Sequence, residues 1–226
     1  MAKLLKGSEA VAALEVRIKE SMTQLSEKCV TPTLAIVRVG ERSDDISYER
    51  GICKRFAALG IEVRINAFET GISQESLLKS IEELNRDDKI HGVLIFRPLP
   101  ENIDPRAVCR ALAPEKDVDG ITDGSLAGVF SGSGDGFAPC TPQACIEILD
   151  CFGIDPKGKR TVVVGRSLVV GKPVAMMLLA RHATVSICHT KTVDLPARCR
   201  EAEILVVAAG QAGAVGRDCF SPATKS

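Results

Sequence analysis

The sequence predicts an α/β protein built as two domains of parallel sheet with helices on both faces. Three observations predict it. Short β-branched runs alternate with segments of helical period, the pattern of strands joined by crossover helices. The stretch 159–173, KRTVVVGRSLVVGKP, reads as a strand, a glycine turn and a helix start. The length of 226 residues is enough for two modest domains.

In chain order, Ser8 can cap a helix that runs to about residue 28, with Val11, Leu14, Ile18 and Leu25 on one face. Residues 34–39 form a strand. Asp44 or Asp45 caps a second helix, which ends at Gly60. Residues 61–68 are the next strand. Ser73 opens a third helix, turning Leu77, Leu78, Ile81 and Leu84 inward. Residues 93–96 form a strand that runs into Arg97-Pro98-Leu99-Pro100, and residues 105–113 make a short helix. The segment 114–120, PEKDVDG, reads on its charge as a solvated turn. Residues 131–136 are rich in glycine and serine, the composition of a flexible loop. Thr141 caps a helix with Pro142 at its first position and Ile146, Ile148 and Leu149 as its apolar residues. The domain boundary falls there, giving domains 1–140 and 141–226.

The second domain carries the clearest chemical signal. Residues 161–164 have the composition of a buried parallel strand. Gly165 breaks it, Gly171 marks a second position without room for a side chain, and Pro173 suits a first helical turn. Strand, glycine turn and helix N-terminus point backbone N–H groups at a phosphate, as in a Rossmann-like domain. The glycines lie six apart, so this is not the G-x-G-x-x-G fingerprint; a tight βα connection is the plain alternative. Arg166 favours phosphate, because a guanidinium can fork onto one; otherwise it is a solvated loop arginine. A strand at 184–188 ends in His189-Thr190-Lys191-Thr192, with no acid before Asp194. In NAD-binding folds an acid at that point takes the ribose 2′-OH. Hydroxyls and a lysine suit a 2′-phosphate instead, hence NADP, with NAD as the other option. A third strand, 203–208, ends in Ala209-Gly210.

Composition excludes several classes. Lysine plus arginine balances aspartate plus glutamate at 29 each, so no global field recruits nucleic acid or an acidic membrane. The nine cysteines form no C-x-x-C pair, and there are three histidines, so no metal site is expected. Free thiols and no apolar run of membrane-spanning length point to the cytoplasm, and the N-terminus does not read as a signal peptide. Cys140, at a helix start, has no histidine near it in sequence to act as a base, so a packed helix-entry residue is expected.

Four stretches together resemble the bifunctional methylenetetrahydrofolate dehydrogenase/methenyltetrahydrofolate cyclohydrolase family. They are PEKDVDG at 114–120, PCTP at 139–142, GRSLVVGKP at 165–173 and CHTKT at 188–192. Val39-Gly40, Tyr48, Pro98-Leu99-Pro100 and AEILVVAAG at 202–210 add weaker support. The resemblance implies a cleft between the two domains, folate held against the first, NAD(P) on the second, and a homodimer. It matches Gly165, Arg166, Ser167 and Thr190 to cofactor contacts, Tyr48 to the aromatic residue at the folate, and Asp119 to the carboxylate that holds the pterin's amino-pyrimidinone edge. Phe96 and Pro98 fall at the same folate site.

Three departures qualify it. The family's cyclohydrolase lysine, four residues after the tyrosine, is Ile52 here. Lys54 cannot replace it: at about 100° per residue it lies roughly 240° around the helix from Tyr48, against about 40° for Ile52. The family's Gln-Leu-Pro-Leu-Pro reads Phe96-Arg97-Pro98-Leu99-Pro100, so the lysine's glutamine partner is gone, and the Ala-Ser before the tyrosine has become Asp44-Asp45. The family also continues past the position of Thr224 with a strand, a folate loop and a helix. This sequence stops at Ser226, so either it is incomplete or the second domain lacks those parts.

Hydride transfer from the folate methylene needs positioning but no protein acid or base. Hydrolysis of the methenyl product needs protons moved, which a held lysine can do and an isoleucine cannot. The expectation is therefore a dehydrogenase with little or no cyclohydrolase activity. The alternatives are a conventional bifunctional enzyme and a non-catalytic folate- or nucleotide-binding relative.

Overall fold

The computed structural model describes residues 5–211 and 213–220. The expectations for the first residues and for the chain's end at Ser226 lie outside the described residues. The chain divides into two compact units, one of residues 7–127 with 135–137, the other of 128–134 and the residues from 138 on.

The first unit runs α1 (Gly7–Glu27), β1 (Thr33–Val39), α2 (Ser43–Leu59), β2 (Glu62–Phe68), α3 (Gln74–Arg86), β3 (Gly92–Ile95) and α4 (Pro105–Ala111). Its strands are parallel in the order β2-β1-β3. Burial on both faces of β1 follows from the two-residue period of a strand. Ala35, Val37 and Val39 pack with Leu77, Ile81 and Leu84 of α3 and Val108 of α4. Leu34 and Ile36 face the other way, into a cluster with Phe96, Ile52 and Phe56. Arg38 follows in that second register, and it meets Glu49 of α2.

The second unit repeats the plan with α6 (Cys140–Cys151), β4 (Arg160–Val164), α7 (Gly171–Ala180), β5 (Thr184–Cys188), α8 (Leu195–Arg200) and β6 (Ile204–Val207). The order β5-β4-β6 is again parallel. Val163 packs with Ile146 and Leu149 of α6 and Val174 and Leu178 of α7. Val162 and Val164 face Cys188, Cys199 and Cys219. Helix α5 (Asp123–Ser131) lies between the two sets of strands in sequence.

Several local expectations are corrected. Helix α1 begins at Gly7, so Ser8 lies in its first turn, and Val11 is exposed while Ala10 is buried. Asp44 and Asp45 do not cap α2. Arg42 stands at that position, and both acids sit in the first turn, where Arg42 pairs with Asp44 at 2.9 Å. Acids in a first turn still complement the helix dipole. Thr141 is likewise inside α6, whose cap position is Pro139. Cys140 is exposed rather than packed. The charged segment 114–120 is not a solvated turn. Asp117 is fully buried and accepts from Ile121 N (3.0 Å), Thr122 N (2.7 Å) and Ser125 Oγ (2.7 Å). Lys116 Nζ donates to the carbonyls of Leu84 and Asp87. Helices α5 and α8 were not expected from the sequence.

Two expected helix ends stand. Ser73 caps α3 by accepting from Ser76 N at 3.1 Å. Gly60 ends α2 in the left-handed conformation, with φ of 76°. All nine cysteines are thiols. Among the described residues no helix is long and apolar enough to cross a membrane, and no group of three or more histidine, cysteine or acidic side chains is placed to hold a metal ion.

Candidate active site

In each sheet the chain leaves the central strand toward one edge and later returns to the other side. Such reversals open a crevice beyond the strands' C-terminal ends, where ligands of α/β proteins bind. In the first unit the crevice lies beyond β1 and β3. In the second it lies beyond β4 and β6.

Helix α2 lines the first crevice. Tyr48 is 61% exposed, while Ile52, one turn on, is half-buried. Both border a shallow depression of ≈ 610 Å³ together with Asp44, Ser47, Gly51, Arg55 and Phe56. Lys54 does not border it. The inner side of Ile52 packs on the cluster of Leu34, Ile36 and Phe96. Phe96, just past β3, is 6% exposed, and its ring meets that of Tyr48 at 5.4 Å between centroids. Beneath them Arg38 Nε donates to Glu49 Oε2 at 2.8 Å, with the two side chains 11% and 10% exposed, and Arg38 also donates to the Gly40 carbonyl. A buried charge needs this full complement of bonds. The ion pair fixes the residue next to Tyr48 to the central strand.

Asp119 stands at the end of the locked segment, and Arg97 follows Phe96. Arg97 Nη2 donates to Asp119 Oδ2 at 3.3 Å, with about a third of each side chain exposed (33% and 29%). Pro98 follows Arg97 through a cis peptide bond. Tyr48, Ile52 and Phe96 thus form one cluster, and Asp119 is held by a residue not singled out from the sequence. Burial chiefly raises the pKa of the Cys109 thiol, and the nearby Arg97 charge opposes that.

The second crevice is made by a turn with no room to spare. A side chain at Gly165 would land on the Ala208 carbonyl, and one at Gly171 on the Gly165 carbonyl. Gly165 also has φ of 131°, which other residues rarely adopt. The helix start therefore sits directly against the turn. Ser167 Oγ accepts from Val170 N at 3.1 Å and Gly171 N at 3.4 Å, tying the turn to α7. Its O–H remains able to donate. Arg166 is exposed and has no partner among the described residues. Thr190 and Lys191 are exposed in the turn after β5, held by His189 N donating to Thr192 Oγ1 and Lys191 N to His189 Nδ1. Asp194 accepts from Ala197 N at 3.1 Å as the cap of α8, so the first acid after β5 is engaged by its own helix. A crowded glycine turn, a helix N-terminus and an exposed guanidinium fit an anionic phosphate.

Burial and two sulfur neighbours set the thiols behind β4 apart. Cys199 is pushed up to about 11, first by burial and then by Cys219 and Cys188.

Sequence reading missed three groups in the first unit. Arg38 interrupts an otherwise apolar buried strand, which alone signals a buried partner. Asp117 offered only its place in a charged run. Arg97 stands 22 residues from Asp119, and no local pattern joins them.

Two parallel three-stranded α/β units, the second with a glycine-turned strand–turn–helix, define a protein of the Rossmann-like class. The family model for the tetrahydrofolate dehydrogenase/cyclohydrolase catalytic domain matches residues 5–119. That for the family's NAD(P)-binding domain matches residues 139–224. The chain belongs to the tetrahydrofolate dehydrogenase/cyclohydrolase family and is a methylenetetrahydrofolate dehydrogenase. It is 46% identical over 210 residues to the bifunctional protein FolD of Moorella thermoacetica, covering 93% of this chain and 75% of that protein. It is 42% identical to FolD of Clostridium botulinum strain Langeland, covering 98% and 78%. Among solved structures, FolD of Campylobacter jejuni superimposes with a TM-score of 0.92 at 35% identity, over 96% of this chain and 77% of that one. The FolD of Trypanosoma brucei, complexed with NADP cofactor and inhibitor, gives a TM-score of 0.84 at 31% identity, over 93% and 72%.

Proposed function

We propose that this enzyme oxidises 5,10-methylenetetrahydrofolate with NADP+ and hydrolyses the methenyl product weakly or not at all. The observation that carries the second half is the packing of Ile52 on the apolar cluster of Leu34, Ile36 and Phe96. Water attack on a methenyl carbon requires a group that moves protons, and none of these side chains has one.

The oxidation asks for less. NADP+ supplies a hydride acceptor, and the folate nitrogens stabilise the cation left behind. The protein's part is to bind and orient. On this reading Asp119 accepts from the pterin's amino-pyrimidinone edge, and Tyr48 offers a ring face to the folate. Phe96 backs Tyr48, and Pro98 borders the same end of β3. Gly165 and Ser167 shape the cofactor turn, while Arg166 and Thr190 take the 2′-phosphate. The relative of known structure complexed with NADP supports that cofactor over NAD. A homodimer in the cytoplasm is the expected setting.

A second reading is a conventional bifunctional enzyme, favoured by the name "bifunctional" carried by the relatives at 42–46% identity. The test is NADPH formation from methylenetetrahydrofolate, followed beside decay of methenyl absorbance. Oxidation without comparable decay supports the proposal. Comparable rates support the second reading, and neither activity would mark a binding-only relative.

A further inference from the structure

We infer that Arg97 is a specificity-determining residue of the folate site, completing with Asp119 a three-point edge for a 2-amino-4-oxopyrimidine. The inference rests on the reading of Asp119 as the pterin's partner. It starts from the one bond between the two side chains, Arg97 Nη2 to Asp119 Oδ2 at 3.3 Å. A closed arginine–carboxylate pair is bidentate and short. This one is single and long, and both side chains remain about one-third exposed. Among the described residues neither Asp119 Oδ1 nor the other guanidinium nitrogens has a hydrogen-bond partner, so they are available to a ligand.

The chemistry of the two groups then selects the ligand edge. A carboxylate only accepts, and a guanidinium only donates. Side by side they present acceptor, acceptor, donor. A 2-amino-4-oxopyrimidine presents the complement in order: the 2-amino group, the ring N3–H and the 4-oxo oxygen. The carboxylate takes the two donors, and Arg97 donates to the oxygen. Leucine, which the family pattern carries where this chain has Arg97, gives no such donor. The locked segment behind Asp119 keeps the edge in place, since Asp117 is fully buried and accepts three hydrogen bonds. A 4-amino ring offers a donor to the guanidinium instead, and a donor facing a donor is rejected.

The test compares binding of tetrahydrofolate and of its 4-amino-4-deoxy analogue by calorimetry. The proteins are the unaltered chain, Arg97→Leu, Arg97→Lys and Asp119→Ala, each checked for folding by its thermal transition. Loss of one charge-assisted bond at a site one-third exposed is worth about tenfold in affinity. Arg97→Leu should therefore weaken tetrahydrofolate about tenfold and leave the 4-amino analogue as tight or tighter, and Arg97→Lys should recover part of the loss. Equal weakening of both ligands would show a merely structural role and overturn the inference. Tighter tetrahydrofolate binding in Arg97→Leu would also overturn it, since Arg97 would then only plug Asp119. Asp119→Ala separates the two levels: if tetrahydrofolate affinity does not change there, the reading of Asp119 itself fails.

Discussion

The rings of Tyr48 and Phe96 meet with centroids 5.4 Å apart and planes inclined by 35°. One ring stands on α2 and the other just past β3, so the contact ties the exposed helix face to the end of the strand. Aromatic pairs of this kind are worth about 0.5–1.5 kcal/mol beyond their burial. Ile52 lies one turn from Tyr48 and packs on the same Phe96 cluster. An apolar pair thus fills the place where the resemblance puts a lysine and a glutamine. Ile52→Lys alone should restore little hydrolysis, because an ammonium against Phe96 is desolvated without a hydrogen-bond partner. Ile52→Lys with Phe96→Gln should recover measurable methenyl decay. Recovery in the single variant equal to that in the double would break the link between the two positions.

Asp119→Ala should abolish folate binding while leaving NADP binding nearly intact. Removing a charge-assisted pair from a partly buried site costs about 2–4 kcal/mol. Calorimetry with each ligand separately checks this, and loss of both affinities would point to misfolding instead.

Arg166→Ala should weaken NADP more than NAD. The guanidinium has no partner among the described residues, so its removal leaves no protein group unsatisfied and only the phosphate contact is lost. Equal losses for the two cofactors would take the 2′-phosphate away from Arg166.

Among the described residues Thr161 Oγ1 is buried without a hydrogen-bond partner, in a residue 1% exposed. An unsatisfied buried hydroxyl costs stability that an isosteric methyl does not. Thr161→Val should therefore stabilise the enzyme by about 1 kcal/mol in denaturant melts. A loss of stability would mean that the hydroxyl has an unseen partner.

With its pKa pushed up to about 11, Cys199 is a protonated thiol at neutral pH and below. Thiolate, not thiol, is the nucleophile. In the native enzyme at pH 8, iodoacetamide should modify the exposed Cys29 and Cys151 well before Cys199, and labelling at Cys199 should rise with pH or denaturant. Mass mapping that finds Cys199 among the first cysteines modified would contradict the buried cluster.

The elements were legible where sequence period and burial agree. The run 161–164 and the period of Leu77, Ile81 and Leu84 located β4 and α3 because tertiary packing asked for what the local pattern offered. Helix α5 was not legible, since Gly124 and Gly128 are poor helix formers. Its start signal was present in Thr122, whose Oγ1 accepts from Ser125 N at 3.1 Å. The segment 114–120 misled because charge usually means solvent, whereas Asp117 turns inward to collect nearby N–H groups. In the site, the family resemblance singled out Tyr48 and Ile52 and helical period put them on one face, but Arg97 with Asp119 required the fold to join two distant loops.

The most direct measurement is the ratio of two initial rates in the unaltered enzyme: NADPH formation from methylenetetrahydrofolate and decay of methenyltetrahydrofolate absorbance, corrected for spontaneous hydrolysis. The account predicts a clear dehydrogenase rate with methenyl decay at or near the uncatalysed level. Methenyl decay catalysed at a rate comparable to the dehydrogenase rate would contradict it.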